Sequence, residues 1–366
     1  MKWDSNNLKP GMRLGENIYS PSGNVLLLPK DKVLTSNDIL NIKKNNIKVV
    51  NIEYSKELSS FEDTFNNYVH DAIMNNNIAE LYTYADKASS LTKELVNLDI
   101  DLTNLDFSDK TDDIDKIVTR TNMALCMAKN YNDSVSNSEK IDIQELFLAS
   151  TLQNIGAQLE NPILFNKLSK NTSIKNLKSA IPGLPDDILE KFNPKYVEFY
   201  SARLLSSLGN KLSSVVRTAI LFKDEKTNST GPLKVNMSKY KNNKSYMISN
   251  IIKTCELFYN ALEANYSYTG DPFEGIDDYI NLSDDFKGVD NNAINLLKSS
   301  FSLYPLGAHV TLNNGIEAKV VKQSNSSITQ PIVLTEDGFF VDLSKSNISI
   351  LSPYKNNIDE SVGYAM

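Results

Sequence analysis

Few residues in this chain of 366 carry an imidazole or a thiol, the side chains that most often bind transition metals. There are two histidines, His70 and His309, and two cysteines, Cys126 and Cys255. A site with several histidine ligands, or a proton relay through adjacent imidazoles, therefore has almost no material here. The same count excludes an array of zinc fingers, because every finger needs several Cys and His ligands.

The histidines and cysteines are predicted to have structural roles. His70 lies in helical sequence with no second ligand three or four residues away, so we expect a core or rim histidine. His309 lies at the start of a predicted β unit. Cys126 and Cys255 are surrounded by apolar residues at no motif spacing, and we expect two reduced thiols in the core of a cytosolic protein.

Charge argues against a nucleic-acid partner. The chain carries 38 Lys and Arg against 45 Asp and Glu, a net charge of −7. Non-specific affinity for nucleic acid comes from neutralising phosphates with basic side chains, which this balance does not favour. Arginine is scarce as well, which disfavours a cluster that grips phosphate in bidentate fashion. The arginines are Arg13, Arg120, Arg203 and Arg217.

The first residues and the apolar runs of the sequence predict a cytoplasmic protein without membrane insertion. The first seven residues are polar and lack the apolar run of a signal peptide. The densest apolar run, Val25–Leu28, is far too short to span a bilayer.

Residues 1–56 are predicted to form a small accessory domain of order β-β-α-β. Thr35 and Asp38 have the spacing of a capping box that opens a helix, and Asn45–Asn46 ends it. Alternation of apolar residues and turn signals indicate the strands. The strands are predicted at Ile18–Tyr19, Val25–Leu28 and Ile47–Ile52.

The remaining chain is predicted to be helical, with a β-rich end. From Phe61 the apolar spacing is that of a helix. We expect a helical linker at 57–110, a helical domain at 111–280, and a terminal helix with a small β unit at 281–366. The helices are predicted at Ile114–Lys129, Ile141–Gln153, Asp186–Leu208, Leu212–Leu221, Met247–Leu262 and Asn291–Leu303. The strands of the β unit are predicted at Val310–Leu312, Ala318–Val321, Ile332–Leu334 and Phe339–Leu343. The fold class is therefore α+β, mainly α.

Motifs at both ends of the chain resemble those of the bacterial HD-GYP family. The runs Leu8–Met12 and Asn17–Leu27 are similar to the accessory domain that precedes many HD-GYP domains. The runs Leu303–Gly307 and Val310–Val321 are similar to the β tail that often follows. The resemblance covers nearly the whole chain in the right order, and it implies an HD-domain-like helical bundle at 111–280.

The resemblance also implies an activity, and the matching positions argue that it is lost. The family enzyme is a metal-dependent phosphodiesterase that opens cyclic di-GMP, with clustered His and Asp ligands holding two or three metals. Its Leu-His-Asp-Ile-Gly-Lys motif matches Leu152–Ala157 here. Gln153 and Asn154 replace the ligands with neutral amides, which bind transition metals poorly, and Ala157 replaces the lysine.

The second family signature is altered in the same way. It aligns with Lys223–Pro232, in which only Glu225, Gly231 and Pro232 match. Lys223 puts an ammonium where the family has a metal ligand, next to Asp224, and the loop tyrosine is missing. Further along, Glu256 stands in place of a ligand aspartate. Because residues 111–280 contain no histidine, we expect no catalytic residues, no metal and no cofactor.

The sequence is compatible with several functions. A degenerate site would be lined by Gln153, Asn154, Lys223, Asp224, Glu225 and Glu256. The favoured hypothesis is a non-catalytic regulatory protein that acts on another protein, with a homodimer as one option. The alternative is a receptor that binds cyclic di-GMP or another nucleotide without hydrolysis, with Lys223, Gln153 and Asn154 as donors. An active phosphodiesterase, an oxygen-only Mg²⁺ or Ca²⁺ site at Asp224, Glu225 and Glu256, and a purely structural adaptor are less favoured.

Overall fold

The structure, a computed structural model, divides the chain into two compact units, residues 1–71 and 72–366. The finer division into four predicted domains stays a prediction. The described residues are 2–5, 8, 13–21, 23, 25–30, 32, 34–53, 69, 80–95, 113–170, 181, 183–206, 212–304, 307–324 and 326–351. His70 and most of the predicted helical linker lie outside them.

The unit of residues 1–71 is a small module with antiparallel strands and one described helix. Its elements are β1 (Lys2–Asp4), β2 (Arg13–Leu14), β3 (Ile18–Tyr19), β4 (Leu26–Leu28), α1 (Ser36–Lys44) and β5 (Val49–Glu53). β5 pairs antiparallel with β1 and β2, while β3 and β4 form a hairpin. The predicted strands and helix are confirmed, and β1 and β2 are additional. The capping box is present as well: Asp38 N–H donates to Thr35 Oγ1 at 3.2 Å and Thr35 N–H donates to Asp38 Oδ2 at 2.9 Å.

Helices dominate the unit of residues 72–366. They are α2 (Glu80–Leu95), α3 (Asp113–Ser134), α4 (Ile143–Leu152), α5 (Pro162–Ser169), α6 (Val197–Ser206), α7 (Ser214–Leu221), α8 (Lys244–Thr269), α9 (Ile276–Leu282) and α10 (Asn291–Ser300). The long helix α8 is central, since it packs on α3, α4, α7 and α10. Phe258 and Tyr259 of α8 are fully buried in this packing. Cys126 and Cys255 are free thiols, and Cys255 lies 3.4 Å from the sulfur of Met127.

One predicted helix is wrong in its first half. Asp186–Leu208 was expected to be continuous, but α6 begins at Val197, and a 3₁₀ turn, Pro194–Tyr196, precedes it. Proline has no N–H to donate within a helix, so it occurs at helical starts. Asn193 caps this start, because its side chain accepts the Lys195 N–H at 3.0 Å. Residues 207–208 lie outside the described part.

The C-terminal β unit is a four-stranded antiparallel sheet in the order β6 (His309–Thr311), β7 (Glu317–Lys322), β8 (Ile332–Thr335) and β9 (Phe340–Asp342). Gly315 and Gly338 make its turns with φ of 81° and 84°. Asp277 of α9 anchors the sheet, because its carboxylate accepts the Ile328 N–H at 2.8 Å and the Thr329 N–H at 3.1 Å. The prediction of a mainly α protein with β-rich ends is confirmed.

His309 lies on edge strand β6, opposite Lys319 and outside the helical core. Among the residues described, no helix is both long enough and apolar enough to cross a membrane.

Candidate functional site

Six charged residues from four helical segments meet in the larger unit, and we call them the charged cluster. Its members are Arg120 on α3, Glu198 on α6, Lys223 and Asp224 just after α7, and Lys253 and Glu256 on α8. Because α7 packs on both α6 and α8, the residues that follow α7 fall between those two helices. Lys253 and Glu256 are three residues apart and share one face of α8.

Lys223 lies at the centre of the charged cluster. Its ammonium is 2.8 Å from Glu256 Oε2 and 3.2 Å from Glu198 Oε1, and its side chain is 3% exposed. Burial alone would lower the pKa of Lys223. The carboxylates of Glu256, Asp224 and Glu198 more than offset burial and hold that pKa above its ordinary value, so Lys223 stays charged.

The other charges of the cluster are paired as well. Asp224 Oδ1 lies 2.5 Å from the Lys253 ammonium, and Glu256 Oε1 lies 3.7 Å from Arg120 Nη1. Burial would raise the pKa of Asp224, but Lys223 and Lys253 lower it to about 2. The same balance lowers the pKa of Glu256. Three cations and three carboxylates therefore face one another with formal charges that cancel when Glu198 is ionised.

Glu198 differs from the other carboxylates. Burial raises its pKa to about 7, Lys223 opposes that rise, and the Asp224 carboxylate adds to it. The sequence prediction did not include this residue. An acidic residue in the first turn of α6, two positions after Tyr196, was the available signal.

Glu225 stabilises the loop of residues 231–235 through hydrogen bonds to its backbone. Its two carboxylate oxygens accept the Leu233 N–H at 2.6 Å and the Val235 N–H at 2.8 Å. A Cβ on Gly231 would lie 2.6 Å from the Glu225 Cα, so only glycine fits there. Burial raises the pKa of Glu225 against the effect of the two backbone hydrogen bonds. Glu225 thus fixes the conformation of residues 231–235.

The two amides predicted at the site follow α4. Gln153 is buried, and its Nε2 donates to the Ser150 carbonyl at 3.0 Å, while its Oε1 has no hydrogen-bond partner among the described residues. Asn154 is half-buried and its side chain does not cap the following 3₁₀ turn. In the described part of the chain, no hydrogen bond or ion pair joins either amide to the charged cluster. The structure therefore brings together Lys223, Asp224 and Glu256 of the predicted set.

Gly156 allows the segment after α4 to approach the backbone of α6 closely. Its N–H donates to Ser201 Oγ at 2.8 Å, and a Cβ would lie 2.5 Å from both Ser201 N and Val197 O. The backbone of α6 therefore packs directly on this glycine. The match of Gly156 to the family motif has a structural reason.

Two cavities adjoin the charged cluster. The larger, of about 600 Å³, reaches Glu198 and Asp224 and is bordered by Lys195, Lys226 and Lys234. The smaller, of about 80 Å³, touches Lys223, Asp224, Lys253 and the loop near Gly288. Polar cavities of the smaller size hold a few waters, whereas the larger falls within the range of small-molecule sites.

The donor set of the cluster does not fit the metal centre that the resemblance implies. The Lys223 ammonium occupies the space between the Glu198 and Glu256 oxygens, where a divalent cation would be repelled. The oxygen-only alternative meets the same obstacle, because Asp224 and Glu256 pair with lysines and Glu225 holds backbone N–H groups. Among the described residues, no group of three or more His, Cys, Asp and Glu side chains could hold a metal.

Comparisons with known proteins give one structural match. No protein-family model and no curated protein matches the chain. Among solved structures, the chain is similar to Bd1817, an HDGYP protein from Bdellovibrio bacteriovorus. The two are 14% identical with a TM-score of 0.39, and the match covers 82% of this chain and 98% of that chain.

Proposed function

We propose that this chain is a non-catalytic regulatory protein with a degenerate HD-GYP-like helical domain, in which the charged cluster stabilises the fold. One observation supports this above all others: the buried Lys223 ammonium lies 2.8 Å and 3.2 Å from the carboxylates of Glu256 and Glu198. An ammonium there supplies the positive charge that buried carboxylates need.

Because they pair with the same ammonium, the carboxylates are unsuited to bind a metal that would catalyse hydrolysis. Activation of water in a metal-dependent phosphodiesterase needs oxygens that are free to bind the metal. Here Lys223 would have to lose its proton or leave the cluster first, and its raised pKa opposes the loss of the proton. The carboxylates therefore have a stabilising role in this proposal.

A regulatory protein without turnover acts through a partner, and we propose another protein in that role. Exposed apolar side chains on both β-rich parts support the proposal, since such groups mark contact surfaces when they cluster. Tyr19, Val25 and Leu26 are exposed on the β3–β4 hairpin, and Phe339 and Phe340 are exposed at the β8–β9 turn. Pull-down from native cells with the wild type and the double variant Phe339→Ser, Phe340→Ser tests whether the sheet contributes.

Metal content and turnover test the absence of catalysis. The protein, purified without chelators, is analysed for bound metal and then assayed with cyclic di-GMP in Mn²⁺, Fe²⁺ and Mg²⁺. We expect substoichiometric metal and no product. The variant Lys223→Asp exchanges the ammonium for a carboxylate beside Glu198 and Glu256, and we expect it to take up more Mn²⁺ than the wild type. Stoichiometric metal with hydrolysis in the wild type would refute the proposal.

A second candidate is a receptor that binds cyclic di-GMP without hydrolysis. The cavity of about 600 Å³ next to the charged cluster favours it, because that volume suits a small-molecule ligand. The residues predicted from the sequence for this role are Gln153, Asn154, Lys223, Asp224, Glu225 and Glu256, and of these six only Asp224 lines that cavity. Calorimetric titration decides, and the absence of heat at high micromolar cyclic di-GMP excludes this candidate.

A further inference from the structure

The two faces of the C-terminal sheet differ in burial. Side chains alternate between the faces along each strand, and residues paired across strands share a face. The inner face is buried, and its members include Val310, Ala318, Val320 and Val333. The side chains of the outer face are half-buried or exposed, and they are His309, Lys319, Lys322, Ile332, Leu334, Phe340 and Asp342. The outer face is therefore a surface on which another molecule could pack.

Two rows of side chains cross the outer face from β7 to β9. Each row begins with a lysine on β7 and has a branched apolar residue on β8 at its centre. The rows are Lys322, Ile332 and Asp342 in one case and Lys319, Leu334 and Phe340 in the other. Positive charge therefore lies on the β7 side, whereas a carboxylate and an aromatic ring that is 72% exposed lie on the β9 side.

The charged groups of these rows have capacity for further partners. In the described part of the chain, the side chains of Lys319 and Lys322 form no ion pair or hydrogen bond. Asp342 Oδ1 accepts the Ser344 N–H at 3.2 Å and the Ser344 hydroxyl at 2.6 Å, and Oδ2 lies 2.9 Å from the exposed Lys345 ammonium. A carboxylate has about four acceptor sites, so Asp342 can bind one more donor.

We infer that two copies of this chain associate through the outer faces of their C-terminal sheets, related by a two-fold axis that runs along β8. This rotation brings the β7 side of one copy over the β9 side of the other. It places Lys322 over Asp342 of the other copy, and Lys319 over the Phe340 ring, as an ion pair and a cation–π contact require. The outer face is thus complementary to itself, which an isologous interface needs.

The charge pattern also selects the direction of the axis. A two-fold axis perpendicular to the strands would place Lys319 of one copy against Lys322 of the other, and repulsion between like charges disfavours that arrangement. Only the axis along β8 pairs each lysine with an acceptor on the other copy. The strands of the two sheets then run nearly parallel to each other, as in aligned packing of sheets.

Apolar contacts at the axis supply the attraction between the copies. Ile332 and Leu334 lie on β8, so each meets its own counterpart, and packed sheets stand about 10 Å apart with interdigitated side chains. The strands have three to six residues, so the face is small, and we expect a weak dimer that forms in the micromolar range. This inference rests on the proposed function in that the sheet contacts a protein, and it names a second copy as that protein.

Sedimentation velocity of the full chain, from low to high micromolar concentration, tests the inference. We expect a reversible equilibrium between monomer and dimer. Phe340→Ser should raise the dissociation constant of the dimer at least about tenfold, because each copy loses an aromatic contact. Phe339→Ser is the matched control: its ring is 68% exposed, and alternation directs it away from the outer face, so we expect no change.

Charge reversal identifies a second copy as the occupant. Lys322→Asp alone brings two carboxylates together at both ends of each row pair, and Asp342→Lys alone brings two ammonium groups together, so each variant should be monomeric. An equimolar mixture of the two variants restores opposite charges at both contacts, and we expect it to dimerise about as well as the wild type. Because Asp342 also caps the turn of residues 343–345, this recovery shows that Asp342→Lys is folded.

Three results would overturn the inference: a wild type that stays monomeric at high micromolar concentration, a dimer that Phe340→Ser leaves intact, and folded charge variants that fail to associate when mixed. If circular dichroism shows an unfolded variant, the comparison of Phe340→Ser with Phe339→Ser decides. A monomeric chain that captures a different protein through Phe340 overturns the second copy and supports the proposed function. Bound metal with turnover refutes the proposed absence of catalysis and leaves the dimer standing.

Discussion

Replacing Lys223 with methionine tests whether the charged cluster stabilises the fold. Lys223→Met keeps the length of the apolar stem and removes the ammonium, so the Glu256 and Glu198 oxygens lose a partner at 2.8 Å and 3.2 Å in a site where the lysine is 3% exposed. Removing one member of a buried ion pair costs about 3–5 kcal/mol of unfolding free energy, because a buried charge is left uncompensated. We expect a loss of that size at about pH 8, where the carboxylates are ionised.

The assay is urea denaturation followed by circular dichroism at 222 nm. The matched control is Lys345→Met. Lys345 lies 2.9 Å from Asp342 Oδ2, nearly the same distance, but its side chain is 81% exposed. We expect no measurable shift in the unfolding midpoint of the control, because solvent screens such a pair.

Acid should relieve the defect of Lys223→Met. Glu198 and Glu256 take up protons more readily once the ammonium is gone, so the loss of unfolding free energy shrinks towards about pH 5. Adding Glu256→Gln to Lys223→Met should recover part of the loss, because one uncompensated charge is removed. A change of less than about 1 kcal/mol in Lys223→Met at about pH 8, below the range for a buried pair, would refute the reasoning.

Two further substitutions test particular contacts. Burial raises the pKa of Glu198 to about 7 in the folded protein, well above the ordinary value of a glutamate, so the folded state binds this proton more tightly than the unfolded state does. The wild type should therefore lose up to ~3 kcal/mol of unfolding free energy as the pH rises from about 5 to 8, whereas Glu198→Gln should lose much less; parallel pH profiles in urea denaturation would contradict this. Gly156→Ala places a Cβ 2.5 Å from backbone atoms of α6, and we expect a loss of roughly 1–3 kcal/mol in thermal or urea unfolding. An Ala157→Ser control at the next, exposed position should leave stability unchanged.

Local signals in the sequence predicted many of the elements. The capping box at Thr35 and Asp38 appears where the residues predict it, because a cap depends on a few neighbouring side chains. The prediction of a continuous helix over Asp186–Leu208 was wrong for an equally local reason. The apolar spacing continues across Pro194, but proline interrupts a helix.

The partners in the charged cluster could not be predicted in the same way. Lys223, Asp224 and Glu256 were identified through the resemblance, whereas Glu198, Lys253 and Arg120 were not. Each missed residue looks like an ordinary surface charge in its own helix. Their pairing depends on how α3, α6 and α8 pack around the end of α7, and that packing brings together residues up to 136 positions apart, from Arg120 to Glu256.

The sequence by itself determined the mainly helical character, the β-rich ends and the absence of histidine from residues 111–280. Composition and short-range periodicity suffice for these, because they are properties of segments. Only the tertiary structure decided that the Lys223 ammonium lies between two carboxylates and that three lysines surround one cavity. Coulomb interactions depend on distance and burial, and neither quantity exists until the helices have packed.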